Sequence, residues 1–95
     1  MSPREQKRDL LEALRLIYHL QKQHFYPYEI MPRLMEALHI GEEEAVSLVK
    51  ELIGQGWLST RGFLPAYFLQ PGNISRFPVI ISACGLALLK KESTP

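Results

Sequence analysis

The chain has 95 residues, 46% of them apolar, and carries 11 basic against 10 acidic side chains, a formal net charge of +1. That length bounds one domain near the lower end of what can build its own core, and the apolar fraction excludes a disordered chain. Near-neutral charge lacks the strong basic excess of many nucleic-acid modules, so the local distribution of charge has to speak for or against such a partner. No apolar run approaches the roughly 20 residues of a membrane span. The opening Met1-Ser2-Pro3-Arg4-Glu5-Gln6-Lys7-Arg8 leads into a charged amphipathic stretch and does not read as a signal peptide. Cys84 is the single cysteine, so no internal disulfide is expected and the chain reads as cytoplasmic, with no membrane partner.

The first predicted helix opens with Ser2 as a cap, Pro3 at the first helical position and Glu5 where a capping box places a carboxylate. It runs to about Phe25. At ~100° per residue, Leu10, Leu11, Ala13, Leu14, Ile17 and Tyr18 share one face. Leu16 and Leu20 widen that apolar arc to roughly 220°, more than a surface helix usually needs. Either a second buried contact, such as a dimer partner, or the chain's own C-terminal segment would cover it. Pro27 breaks this helix by forcing Tyr26 toward extended backbone. A short helix from about Tyr28 to Leu38 follows, with Ile30, Leu34, Ala37 and Leu38 at helical spacing. Pro32 requires that helix to begin near Tyr28 or Glu29, so that the proline falls in the first turn.

His39-Ile40-Gly41 is a connection of helix-turn-helix length. The third helix opens on Glu42, Glu43 and Glu44, which suit the positive end of its dipole. Its inward face is Ala45, Val46, Leu48, Val49, Leu52 and Ile53, and Gly54 and Gly56 end it, Gly56 as a left-handed cap. Beyond Gly56 the period changes. Trp57–Thr60, 66–70 and 78–82 are short aromatic or β-branched runs punctuated by glycine and proline, which predict strands. Pro71-Gly72-Asn73 predicts a turn, and the glycosylation-like Asn73-Ile74-Ser75 is read as part of it. Ser82 is placed to cap a last short helix from Ala83 to about Lys91.

Three helices, a small antiparallel hairpin and a short closing helix thus follow in order. The stretch Tyr28-Glu29-Ile30 to Leu34, then Leu38-His39-Ile40-Gly41-Glu42-Glu43, then Leu48-Val49-Lys50-Glu51-Leu52-Ile53-Gly54-Gln55-Gly56-Trp57-Leu58 resembles the core of the winged-helix superfamily. Ile81-Ser82-Ala83-Cys84-Gly85-Leu86-Ala87-Leu88-Leu89 is similar to the strand-to-helix exit after the wing in many of its regulators. The nearest likeness is to PadR-like and MarR-like transcriptional regulators, although the long C-terminal dimerisation helix of the former has no counterpart. The resemblance covers most of the chain and implies an α+β, mostly helical winged helix-turn-helix domain over residues 1–95. It also implies binding to double-stranded DNA as a homodimeric regulator, paired through the first and last helices.

The residues themselves qualify that implication. The exposed side of the third helix, which would enter the major groove, is Glu43, Glu44, Ser47, Lys50, Glu51, Gly54 and Gln55. Ser47, Lys50 and Gln55 can meet base edges or phosphate, but three glutamates repel the backbone. Arg61 and Arg76 sit in the predicted wing as phosphate or minor-groove contacts, or as ordinary solvated loop residues. Arg8, Arg15 and Lys22 recur every seven residues on the first helix with His19 nearby, a basic stripe opposed by Glu12, which can equally pair with Arg8 and Arg15. A helix of one sign and another of the opposite sign also suit a protein contact.

Chemistry finds little purchase. His19 and His24 are about 140° apart on a helix, His39 and Cys84 lie in distant turns, and no spacing matches a zinc site. No nucleophile stands beside a base and an orienting group, Gly54-Gln55-Gly56 follows a helix rather than preceding one, and no cofactor or catalytic activity is expected. Trp57, Phe68 and one or two tyrosines are expected to complete the core. Phe63, Tyr67 and Phe77 in the wing, and Leu16 and Leu20 on the first helix, are the candidate protein contacts. Two functions are therefore expected as alternatives: a DNA-binding regulator, and a protein-interaction module serving as an adaptor in a larger assembly.

Overall fold

The computed structural model describes the backbone of residues 3–93 and the side chains of residues 9–91. The expected cap at Ser2 and the side chains of Glu5 and Arg8 lie outside the described residues. Helix α1 spans Pro3–Gln23, beginning at the expected proline and ending two residues short of Phe25. Tyr26 is extended (φ −100°, ψ 133°), as its place before Pro27 requires. A 3-10 turn over Pro27–Glu29 then feeds α2, Ile30–Leu38, so Pro32 falls in the first turn, where no backbone partner is lost. Helix α3, Glu42–Gly54, carries its three glutamates in the first turn.

The ends of α2 and α3 are built alike. At the end of α3 the Gly56 N–H donates to the Ile53 carbonyl (2.9 Å) and the Trp57 N–H to the Leu52 carbonyl (3.1 Å), with Gly56 left-handed at φ 79°. This is the crossed hydrogen-bond pair of a Schellman motif, and the buried Trp57 and Leu52 supply its apolar contact. At the end of α2 the His39 N–H donates to Glu36 (3.3 Å) and the Ile40 N–H to Met35 (3.1 Å). There the left-handed residue is His39 (φ 55°), while Gly41 stays extended at the start of α3.

Beyond Gly56 the expected hairpin wing is overturned. Among the described residues no strand forms; the one β pairing is an isolated antiparallel bridge between Leu58 and Ile81. It is flanked by two hydrogen bonds, Ser59 N–H to the Ile80 carbonyl and Ser82 N–H to the Trp57 carbonyl, both 2.8 Å. The run 66–70, expected as a strand, instead lies largely in a single helical turn, α4, Pro65–Phe68, and a 3-10 turn follows over Ile74–Arg76. The small helical domain that results has no wing.

The physical reason lies in proline and in three rings. Pro65 presets the backbone for a helix start and occupies the first helical position, where its missing N–H costs nothing. In a strand Phe63 and Phe68 would lie about 17 Å apart. The helical turn brings their ring centroids to 5.7 Å, and both rings meet Phe77 edge-on, at 5.3 and 6.2 Å. Edge-to-face contact among three phenylalanines outweighs the few ladder bonds that segments this short could form. The Asn73 side chain donates to the Tyr67 carbonyl (3.0 Å) and Gly72 turns the chain at φ 95°, so Asn73 serves the turn as expected.

The core collects Leu14 and Ile17 from α1, Ile30, Met31 and Leu34 from α2, Val49 and Leu52 from α3, and Ile74, Phe77 and Val79 from the lobe after Gly56. Helix α5, Ala83–Ser93, packs on α1 and contributes Leu89. Ser82 caps it as expected: its Oγ accepts from the Gly85 N–H (3.0 Å) while donating to the Gly56 carbonyl (2.6 Å). Gly85 is the close-approach point of that helix. A Cβ there would stand 2.6 Å from the Trp57 carbonyl oxygen and 2.8 Å from Ile81 Cγ2.

Candidate functional site

Three surfaces distinguish themselves from ordinary solvated exterior. The first is the elbow between α1 and α2. Phe25 is 88% exposed, Tyr28 55%, and Tyr26 is exposed between them. Tyr26 and Tyr28 stack (5.3 Å, 14° between planes), and Phe25 meets Tyr26 edge-on at 4.9 Å. The Val79 N–H donates to the Pro27 carbonyl (3.2 Å), which ties this elbow to the strand-like segment carrying Ile80, itself 40% exposed. A shallow depression of about 270 Å³ runs between Phe25 and Ile80, with Ile30 and Val79 among its lining.

The second surface is a groove of about 560 Å³ where the N-terminal half of α1 passes α3. Leu38, Ile40 and Leu48 offer apolar surface there; Asp9, Glu12, Glu44 and Glu51 line it and are all exposed. Ser47, a residue expected to face DNA, lines the same acidic groove.

The third is a basic groove of about 370 Å³ between α1 and α5, lined by Arg15, His19, Lys22 and Lys90 around Tyr18, Leu86 and Leu89. The Lys22 ammonium sits 4.3 Å from the centroid of the Tyr18 ring, a cation–π contact. The stripe read from the seven-residue spacing thus gathers Arg15 and Lys22 and gains Lys90 from α5, while the side chain of Arg8 is outside the described residues.

The remaining expected site residues divide. Ser47, Lys50 and Gln55 are exposed on or just after α3, beside the equally exposed Glu43, Glu44 and Glu51. Arg61 and Arg76 are exposed, but on the turns of the lobe rather than on a hairpin. Leu16 and Leu20 are half-buried against the core, in the helix that α5 packs upon. Tyr67 is exposed and Phe63 half-buried. Phe77 is corrected outright: it is fully buried, the largest such side chain among the described residues, because it is the ring on which Phe63 and Phe68 converge.

The elbow aromatics are what sequence reasoning missed as a contact surface. A signal was present: Phe25-Tyr26-Pro27-Tyr28 crowds three rings into a chain reversal with no regular period, where they cannot all turn inward. Elsewhere, no group of three or more histidine, cysteine, aspartate or glutamate side chains among the described residues is gathered to hold a metal ion. Cys84 is exposed. No helix among the described residues is long and apolar enough to cross a membrane. Compared with known protein families, curated proteins and solved structures, the chain matches none.

Proposed function

We propose that this chain is a helical protein-interaction module whose principal contact is the aromatic elbow. The observation that carries the reading is Phe25, Tyr26 and Tyr28 held open to solvent in one contiguous group beside Ile80. Aromatic anchors dominate the energetics of protein interfaces, and fully burying one such side chain contributes about 1.5–3 kcal/mol. The elbow is also preorganised: the stacking of the two tyrosines, Pro27 and the Val79–Pro27 hydrogen bond hold it in place, so little ordering cost remains for binding.

Charge and shape argue for a protein over duplex DNA. The α3 surface that would meet the major groove presents Glu43, Glu44 and Glu51 around Lys50, and Arg61 and Arg76 have no hairpin to carry them into a groove. Among the described residues, the basic groove of Arg15, Lys22 and Lys90 is the one feature that favours nucleic acid.

The test places a photo-crosslinking phenylalanine analogue at position 25 and, as a control, at the exposed position 50, in the host cell. A discrete protein adduct from position 25 and none from position 50 is expected. Random duplex titrated from low salt upward accompanies it, with no measurable affinity expected. Duplex binding at low salt that is lost on Lys22→Glu, with no adduct from position 25, would overturn the proposal in favour of DNA.

A further inference from the structure

The acidic groove is a separate surface, at the other end of α1 from the elbow, about 15–20 Å away along the helix axis. We infer that it receives a basic amphipathic helix from a partner protein, with apolar side chains laid on Leu38, Ile40 and Leu48 and lysines or arginines reaching the carboxylates on both sides.

Both walls of the groove are helices, α1 and α3, packed against each other, and the furrow between two packed helices is the shape that takes the ridge of a third. On α3, Glu44 and Glu51 are seven residues apart, about 10 Å along the axis, with Ser47 and Leu48 between them. On α1, Asp9 stands beside Ala13 on the facing wall, with Glu12, which already holds a contact within the chain, one turn on. The groove therefore carries apolar surface between carboxylates repeated at helical intervals. A helix with apolar residues at i, i+3, i+4 and i+7 and cations on its flanks has the matching pattern.

The charge selects the sign of the occupant. Among the described residues that line this groove none is basic; Lys50, the exposed cation of α3, is not among them. An acidic or nucleic-acid ligand would be repelled, whereas a basic helix is steered inward and fixed in register by charge. The apolar part is real: Leu38 is 36% exposed, although it lies at a helix position spaced for the core.

The probe is a synthetic helix of about 16 residues with leucines at that spacing and lysines on both flanks, compared with a twin bearing glutamate at every lysine. At about 0.15 M salt, where loose surface attraction is screened, the lysine peptide is expected to bind with a Kd of about 50 μM or tighter. Amide shifts should centre on Leu38, Ile40 and Leu48, and the glutamate twin should not bind. Glu44→Gln with Glu51→Lys should weaken binding on the order of tenfold or more while the fold is retained, both sites being exposed and Glu42 and Glu43 keeping the first turn of α3 acidic. Leu38→Ser should weaken it with the charges intact. Equal binding of the two peptides, indifference to these charge changes, or shifts outside the groove would overturn the inference. So would sedimentation showing that a second copy of this chain fills the groove. Changes at Phe25 and Tyr28 should leave peptide binding unaltered, so failure here and failure of the elbow reading are separable.

Discussion

Two groups of three aromatic residues lie in this small fold and meet opposite fates. Phe63, Phe68 and Phe77 converge edge-on in the lobe after Gly56, with Phe77 sealed from solvent. Phe25, Tyr26 and Tyr28 also touch one another, yet they remain outside. Ring contact alone does not make a core. The lobe trio is covered by α2 and α3, both of which pack on its Ile74–Arg76 turn, whereas at the elbow it is the Pro27–Glu29 backbone that packs on α2 and on that turn while the three rings stay exposed. The lobe commits its three phenylalanines to folding and leaves Tyr67 outside, while the elbow leaves all three of its rings open to solvent.

The sharpest way to break this contrast is to remove a ring from each group. Phe77→Ala should cost about 3–5 kcal/mol, a large part of the stability a small domain possesses, and denaturant unfolding should show a collapsed or absent transition. Should Phe77→Ala prove mild, the lobe is not the structural half of the pair.

Next in size is Gly85→Ala, which tests how tightly α5 clamps the bridge that anchors the lobe. Helix propensity alone says the change should stabilise by about 0.5–1 kcal/mol. The clash with the Trp57 carbonyl says it should destabilise by about 1–3 kcal/mol, and thermal unfolding reads the sign directly. Ser82→Ala removes the cap of α5 and the donor to the Gly56 carbonyl together, for about 1–2 kcal/mol by the same measurement. Smallest is Phe25→Ser. An exposed ring without a folded-state role should leave stability within about 0.5 kcal/mol, while adduct formation from a crosslinker at the neighbouring Tyr28 should disappear.

How much of this was legible depends on the kind of signal. The three main helices were readable because Leu14, Ile17, Leu34, Val49 and Leu52 recur at helical spacing, prolines mark the starts of the first two and a run of glutamates the start of the third. The Gly56 end of α3 was readable because only glycine takes that backbone cheaply. The equivalent end of α2 was not, since His39 takes the left-handed turn while a nearby glycine, Gly41, stays extended. The lobe misled for a similar reason: short aromatic runs bounded by proline suit a strand or a packed turn equally, and the mutual contact of Phe63, Phe68 and Phe77, invisible in linear order, decides between them. With it went the expectation of a wing, and Phe77 moved from candidate contact to core. The basic stripe of Arg15 and Lys22 was visible in the seven-residue repeat, but its completion by Lys90 required α5 to fold onto α1.

The claim on which the rest turns is that the elbow is open in the isolated chain and covered in the cell. Fluorine NMR of the chain with all four phenylalanines labelled, recorded with a soluble paramagnetic agent in buffer and then in host extract, measures this directly. Phe25 should broaden strongly in buffer and be shielded in extract, while Phe77 stays sharp in both. A Phe25 line that broadens equally in buffer and extract would contradict the account.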